Sequence, residues 1–142
     1  MRIHQYKTFM VLPLQIDGVF PFFCDVLNLE RITPPELHFR ILTPQPIEIR
    51  EGTVVDYRLR LYGFPLGWRS EITTWNPPHE FVDQQLVGPY HTWIHSHQFY
   101  ANSGSTIIED TVHYQLPLWP LSEIVAPLVH RQLGRIFHYR EQ

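Results

Sequence analysis

The stretch EFVDQQLV (Glu80–Val87), GPY (Gly88–Tyr90), HTWIHSHQFYA (His91–Ala101), NSGS (Asn102–Ser105) and TIIEDTVHYQL (Thr106–Leu116) decides the fold. It reads as three strands divided by two turns. Gly, Pro, Asn and Ser supply the turn chemistry, and β-branched and aromatic residues fill the runs between. Consecutive strands joined this closely pair antiparallel. Side chains alternate across a strand, so His91, Trp93, His95, His97 and Phe99 share one face. Phe81, Asp83 and Gln85 share it in the strand before, and Ile108, Asp110, Val112 and Tyr114 in the strand after. The Trp/Phe face is expected to point inward. A three-residue turn at Gly88–Tyr90 sets Asp83 opposite His95. A two-residue turn at Ser103-Gly104 sets Asn102 opposite Ser105 and His97 opposite Asp110. Opposed side chains lie about 5 Å apart at Cβ, so each imidazole would meet a carboxylate.

Upstream, Thr53–Tyr62 alternates Val55, Tyr57, Leu59 and Leu61 with Asp56, Arg58 and Arg60, a half-buried strand with a solvated charged face. Gly63–Gly67 reads as a turn and Trp68–Trp75 as a strand stopped by Asn76-Pro77-Pro78. A short strand over Leu37–Leu42 and a first strand over His4–Leu14 complete about six to seven. Ile16–Leu29 lacks period two; Val19, Phe20, Phe23, Val26 and Leu27 recur at helical spacing, which predicts short helices with Asp17 as N-cap. Downstream, Leu121, Ile124, Val125, Leu128, Val129, Leu133, Ile136 and Phe137 fall on one side of a helix. Pro127 either kinks that helix or marks its true start. The expected fold is α+β, a curved antiparallel sheet wrapped around the long C-terminal helix. A cavity is easily left between the two.

The chain has 142 residues and no linker-like segment, which predicts one domain over 1–142. Hydrophobic residues reach 44% and charged residues 18%, values of a globular chain. With 9 Phe, 7 Tyr and 4 Trp, the composition suits a β-rich binder of apolar molecules and equally a large core. The net charge is −3 without any run of Lys or Arg, so the electrostatic footprint of a nucleic-acid binder is missing. Neither a signal-peptide pattern nor an apolar run of membrane-spanning length is present, and a cytoplasmic protein is expected. Cys24 is the one cysteine, so no internal disulfide forms. Beside Phe22 and Phe23 it reads as a small apolar residue.

Several pieces together resemble the SRPBCC superfamily, which includes START domains, polyketide cyclase/dehydrase-like proteins and the birch-pollen allergen class. They are Asn28-Leu29 with Thr33-Pro34-Pro35, Gly52 before Tyr57-Arg58-Leu59, Trp75-Asn76-Pro77-Pro78, Phe81–Gln85, Gly88-Pro89-Tyr90, Trp93, His95, His97, Phe99, Asp110, Val112, Tyr114 and Pro117. The resemblance spans nearly the whole chain. It implies the helix-grip fold with a hydrophobic cavity between sheet and helix, and it carries over no catalytic residues. Trp119-Pro120 departs from the usual glycine-richer stretch at the cavity mouth.

Two kinds of role follow for the inward polar groups. Asp83, His95, His97 and Asp110 either satisfy one another as buried polar groups must, or orient and protonate a bound molecule. The candidate ligand-binding set is Tyr57, Trp75, Trp93 and Phe99 as apolar wall, with Asp83, Gln85, His95, His97, Asp110 and Tyr114 as polar anchor. His95, His97, Asp83 and Asp110 are also the candidates for catalysis. Two imidazoles on one strand face suit zinc, but no separate third ligand stands out in the sequence, so no metal and no other cofactor is expected. The expected partner is a small hydrophobic molecule: a lipid, isoprenoid, polyketide or aromatic compound. The alternatives are a cyclase or dehydratase with a His/Asp pair, and a ligand-free interaction module such as a homodimer.

Overall fold

A computed structural model describes residues 2–25, 28, 31–44, 47–61, 63–118 and 124–140. Seven strands form one antiparallel sheet in the order β1-β7-β6-β5-β4-β3-β2. They are β1 (His4–Leu12), β2 (Arg40–Ile41), β3 (Val54–Leu61), β4 (Phe64–Asn76), β5 (Glu80–Val87), β6 (Thr92–Asn102) and β7 (Ser105–Gln115). Helix α1 (Ile16–Cys24) follows β1, and helix α2 (Ala126–Arg140) closes the chain. This is the expected α+β helix grip.

The two hairpins read from the sequence have the predicted register. Asp83 pairs with His95 and His97 with Asp110. Asn102 pairs with Ser105 across Ser103 (φ 48°) and Gly104 (φ 86°), both left-handed as a tight two-residue hairpin requires. The β3–β4 turn is tighter than expected. Leu61 pairs with Phe64, Gly63 takes φ 82°, and Gly67 lies inside β4 opposite Arg58. Over Leu37–Leu42 only Arg40 and Ile41 are strand, because Pro35–Leu37 forms a 3₁₀ turn and His38 takes φ 48°, which breaks the extended run. Two bulges, between Arg69 and Ser70 and between Ile72 and Thr74, interrupt the β4–β5 ladder. Such insertions bend and twist a sheet, and the second lies opposite Val82 and Asp83.

Helix α1 is capped by Gln15 without a side-chain bond; Asp17 instead sits in the first turn, where its charge suits the helix dipole. Val19 and Phe20 bury against Ile72, Phe81, Phe99 and Ile108 at one end of the sheet. Helix α2 starts at Ala126, with Pro127 in its first turn, where a missing N–H costs nothing. Leu133 and Phe137 bury against Val112, Tyr114 and Leu116. Ile124, Val125 and Leu128 are exposed, contrary to the predicted apolar stripe. That stripe requires a helix running through Pro127, whereas Ile124 and Val125 precede α2. Val26, Leu27 and Leu29, Trp119-Pro120 and Leu121 lie outside the described residues.

Candidate functional site

Between the sheet and α2 lies a pocket of about 170 Å3. Strand β3 contributes Val55, Tyr57, Leu59 and Leu61 to its wall, the four alternating positions read as the inward face. Trp68, Ser70 and Ile72 of β4 continue the wall, and Leu133 and Ile136 of α2 form the roof. Aromatic rings lock the wall: Trp68 meets Trp93 edge to face at 5.3 Å and Tyr57 in a stack at 5.9 Å. Ser70 accepts the indole N–H of Trp68 at 2.9 Å, so this buried donor is satisfied.

The polar residues on the floor are Asp83, His95 and His97. His95 and His97 are 4% and 7% exposed. Their rings stack with centroids 3.6 Å apart, Phe81 covers the other face of His97 at 4.0 Å, and Phe137 of α2 meets His95 edge-on at 5.4 Å. Asp110, 5% exposed, stands behind them and outside the pocket lining. Its Oδ1 accepts from His95 Nε2 at 2.9 Å and from His97 Nδ1 at 3.1 Å. Asp83 Oδ2 accepts from His97 Nε2 at 2.7 Å and lies 3.9 Å from His95 Nδ1. The sequence predicts pairing straight across the ladder. The structure keeps the His97–Asp110 contact and adds two shorter diagonal ones, since long side chains reach the i, j±2 neighbour on a twisted sheet.

Charge follows from these contacts. Burial alone would raise the Asp110 carboxyl, but the hydrogen bonds from His95 and His97 outweigh it and hold the group far below the usual carboxylate range. An ionised carboxylate only accepts, so His95 Nε2 and His97 Nδ1 carry the protons. For His95, burial and then the neighbouring His97 charge push the imidazole below its ordinary value, against the pull of Asp110. Its neutral form, with the lone pair on Nδ1, is thereby favoured. For His97, burial pulls down, but the hydrogen bonds to Asp110 and Asp83 prevail and its value rises. Its charged form, which donates from both nitrogens, is thereby favoured. Two stacked imidazoles of opposite protonation preference thus face one pocket.

The other candidates fall elsewhere. Tyr57 and Trp93 line the pocket. Trp75 and Phe99 instead pack with Phe20 and Phe81 in the core beside α1. Gln85 donates to the Tyr90 carbonyl at 2.7 Å and accepts from its N–H at 3.2 Å, bracing the β5–β6 turn. Tyr114 is fully buried under Leu133 and Phe137. These four lie on the predicted inward face, but a curved sheet has more inward surface than one pocket touches. Leu37, Phe39, Ile49, Tyr90 and Ile136 line the pocket and escaped sequence reasoning. Only Ile136 carried a periodic signal, and as core. Cys24 also reaches the pocket, and burial pushes its thiol up to about 12, which removes it as a nucleophile near neutrality. The donor atoms of Asp83, His95 and His97 all lie within 4.8 Å of one another, a spacing compatible with a metal ion. The sequence places Asp83 opposite His95, and the structure brings its carboxylate within reach of both imidazoles.

No family model and no curated protein matches the chain. Solved structures do. The aromatase/cyclase Zhui from Streptomyces sp. R1128 superposes with a TM-score of 0.77 at 16% identity, over 99% of this chain and 90% of that one. TTHA0849 from Thermus thermophilus gives 0.75 at 13%, over 97% and 94%. The chain has the helix-grip fold of these structures. Norcoclaurine synthase from Thalictrum flavum, solved with dopamine and hydroxybenzaldehyde, shares this fold with a TM-score of 0.70 at 12%, over 99% of this chain and 84% of that one. No helix among the described residues is long and apolar enough to cross a membrane.

Proposed function

We propose that the chain works as one domain over residues 1–142 and binds a small, mostly apolar ring compound in the pocket between sheet and α2, as a carrier or sensor. The observation that carries this reading is the Asp83–His95–His97 cluster, with both imidazoles buried, on the floor of a mostly aromatic and aliphatic pocket. Apolar walls with a few convergent polar groups are the composition of small-molecule sites. Size narrows the ligand. About 170 Å3 is close to the ~150 Å3 of a dry engineered cavity that holds benzene. Among lipids, isoprenoids, polyketides and aromatics, this favours one or two rings over a long chain. The ring compounds named with norcoclaurine synthase are of this size class, though at 12% identity they support the proposal only through the shared fold. The polar group of the ligand would face His95 Nδ1, the acceptor, or the Asp83 carboxylate.

The second reading is an enzyme of the cyclase or dehydratase kind. The opposite shifts of the two imidazoles favour it: His97 as the acid and His95 as the base on one substrate.

The test is Trp fluorescence and thermal denaturation of the purified protein against phenols, naphthols and medium-chain fatty acids. Saturable quenching of the Trp68/Trp93 pair with a raised Tm is expected for the ring compounds. Ring compounds that leave both signals unchanged would favour an interaction module instead. Chemical conversion of a bound ring compound, lost in His95→Gln with binding retained, would establish the enzyme.

A further inference from the structure

The geometry points to a divalent transition-metal site of the zinc–iron class, formed by Asp83 Oδ2, His95 Nδ1 and His97 Nε2 at the floor of the pocket. Its facing toward a ligand rests on the binding reading above; the metal site itself does not. Four observations converge on it. The three donor atoms lie within 4.8 Å of one another, with Oδ2 2.7 Å from His97 Nε2 and 3.9 Å from His95 Nδ1. A metal bonded at about 2.0–2.2 Å to N and O ligands holds its donors at separations of this order. The two rings come off one face of β6 and stack with centroids 3.6 Å apart, so a ring rotation brings a nitrogen of each to one ion.

The third observation is the role of Asp110. Its single Oδ1 accepts from the opposite nitrogen of each ring, His95 Nε2 at 2.9 Å and His97 Nδ1 at 3.1 Å. Metal-bound histidines almost always donate their other N–H to a carboxylate, carbonyl or water, which fixes ring and tautomer. One buried carboxylate here does so for both. The fourth is placement: Asp83, His95 and His97 line the pocket and Asp110 does not. Three protein ligands leave positions open to the cavity, the pattern of reactive rather than structural metal sites. A ring ligand carrying an oxygen donor would complete the shell. Metal entry displaces the proton that His97 Nε2 gives to Asp83, and that proton leaves to solvent. The ligand set of two nitrogens and one carboxylate disfavours Mg2+, which prefers oxygens and water.

The experiment titrates chelator-treated full-length protein with CoCl2, ZnCl2 and MgCl2. Stoichiometric visible d–d absorption with Co2+, displaced by Zn2+, is expected, together with a Tm raised by Zn2+ and not by Mg2+. Asp83→Asn and His95→Gln should weaken Zn2+ at least tenfold. Asp110→Asn should weaken it about 10–100-fold, the usual cost of losing an outer partner. His113→Gln, on the exposed face of β7, should leave it unchanged. Near-UV circular dichroism checks that each variant is folded. If a variant is not, X-ray absorption of the wild-type Co2+ form still counts the imidazoles, and two are required. Absent d–d absorption, or Zn2+ affinity equal in wild type, Asp83→Asn and His95→Gln, overturns the inference. Binding of 2-naphthol by the metal-free protein separates the two readings. If it persists while metal binding fails, only the metal site falls; if metal binds and naphthol does not, the pocket reading falls alone.

Discussion

Asp110→Asn tests the network where it is most interlocked. The wild-type carboxylate is 5% exposed and accepts two hydrogen bonds through one oxygen, at 2.9 Å and 3.1 Å. Asparagine keeps the shape and one carbonyl oxygen but loses the charge. A bond to a charged group contributes about 1.5–3 kcal/mol and a neutral one about 0.5–1.5 kcal/mol. Two such exchanges therefore cost about 2–3 kcal/mol. That is less than the ~3–5 kcal/mol of breaking a buried ion pair outright, because Asp83 still holds His97. For a chain of this length the loss lowers Tm by about 8 °C.

The pH dependence carries a separate signature. Asp110 has a depressed folded value, so its stabilisation is present above about pH 4 and is lost as pH falls through the folded value. His95 is also depressed, and acidification below about pH 6.5 weakens the fold as the unfolded chain takes up that proton first. His97 is raised, so its contribution is full below about pH 6.5 and fades as pH rises through its folded value. Asp110→Asn should flatten the loss below pH 4. The assay is thermal and urea unfolding followed by near-UV circular dichroism between pH 3 and 9. A Tm within about 2 °C of wild type at pH 7, with an unchanged acid limb, would refute the charge assignment.

Phe99→Ala, at a 1% exposed position among Phe20, Phe23 and Phe81, should cost about 3–5 kcal/mol in urea unfolding. Ile136→Trp, on the half-exposed roof of the pocket, should abolish quenching by ring compounds and lower Tm by only a few degrees, as a calorimetric scan would read. Cys24 should react with a thiol reagent at pH 8 orders of magnitude more slowly in the native protein than in guanidinium, by absorbance of the released chromophore. In a histidine NMR titration, His97 should titrate above His95 in wild type, and the gap should shrink in Asp110→Asn.

By itself, the sequence determined most of the strands and two of their turns. Period two in Val55–Leu61 and across Glu80–Leu116 sets which side chains face inward, because alternation is a property of the extended backbone alone. Ser103-Gly104 set the β6–β7 register and Gly88–Tyr90 that of β5–β6, so the opposition of each histidine to a carboxylate was legible in the sequence. The tertiary structure decided the rest. Diagonal reach across a twisted sheet sent His95 Nε2 to Asp110 and His97 Nε2 to Asp83, and the two imidazoles shift in opposite directions. The bulge at Ile72–Thr74 bends β4 opposite Asp83, and sheet curvature left Trp75, Phe99 and Tyr114 in core while Leu37, Phe39 and Ile49 joined the pocket wall. Pattern states the face of a residue; only closure of the sheet around α2 states what stands across from it, and burial and hydrogen-bond partners together then shift its pKa.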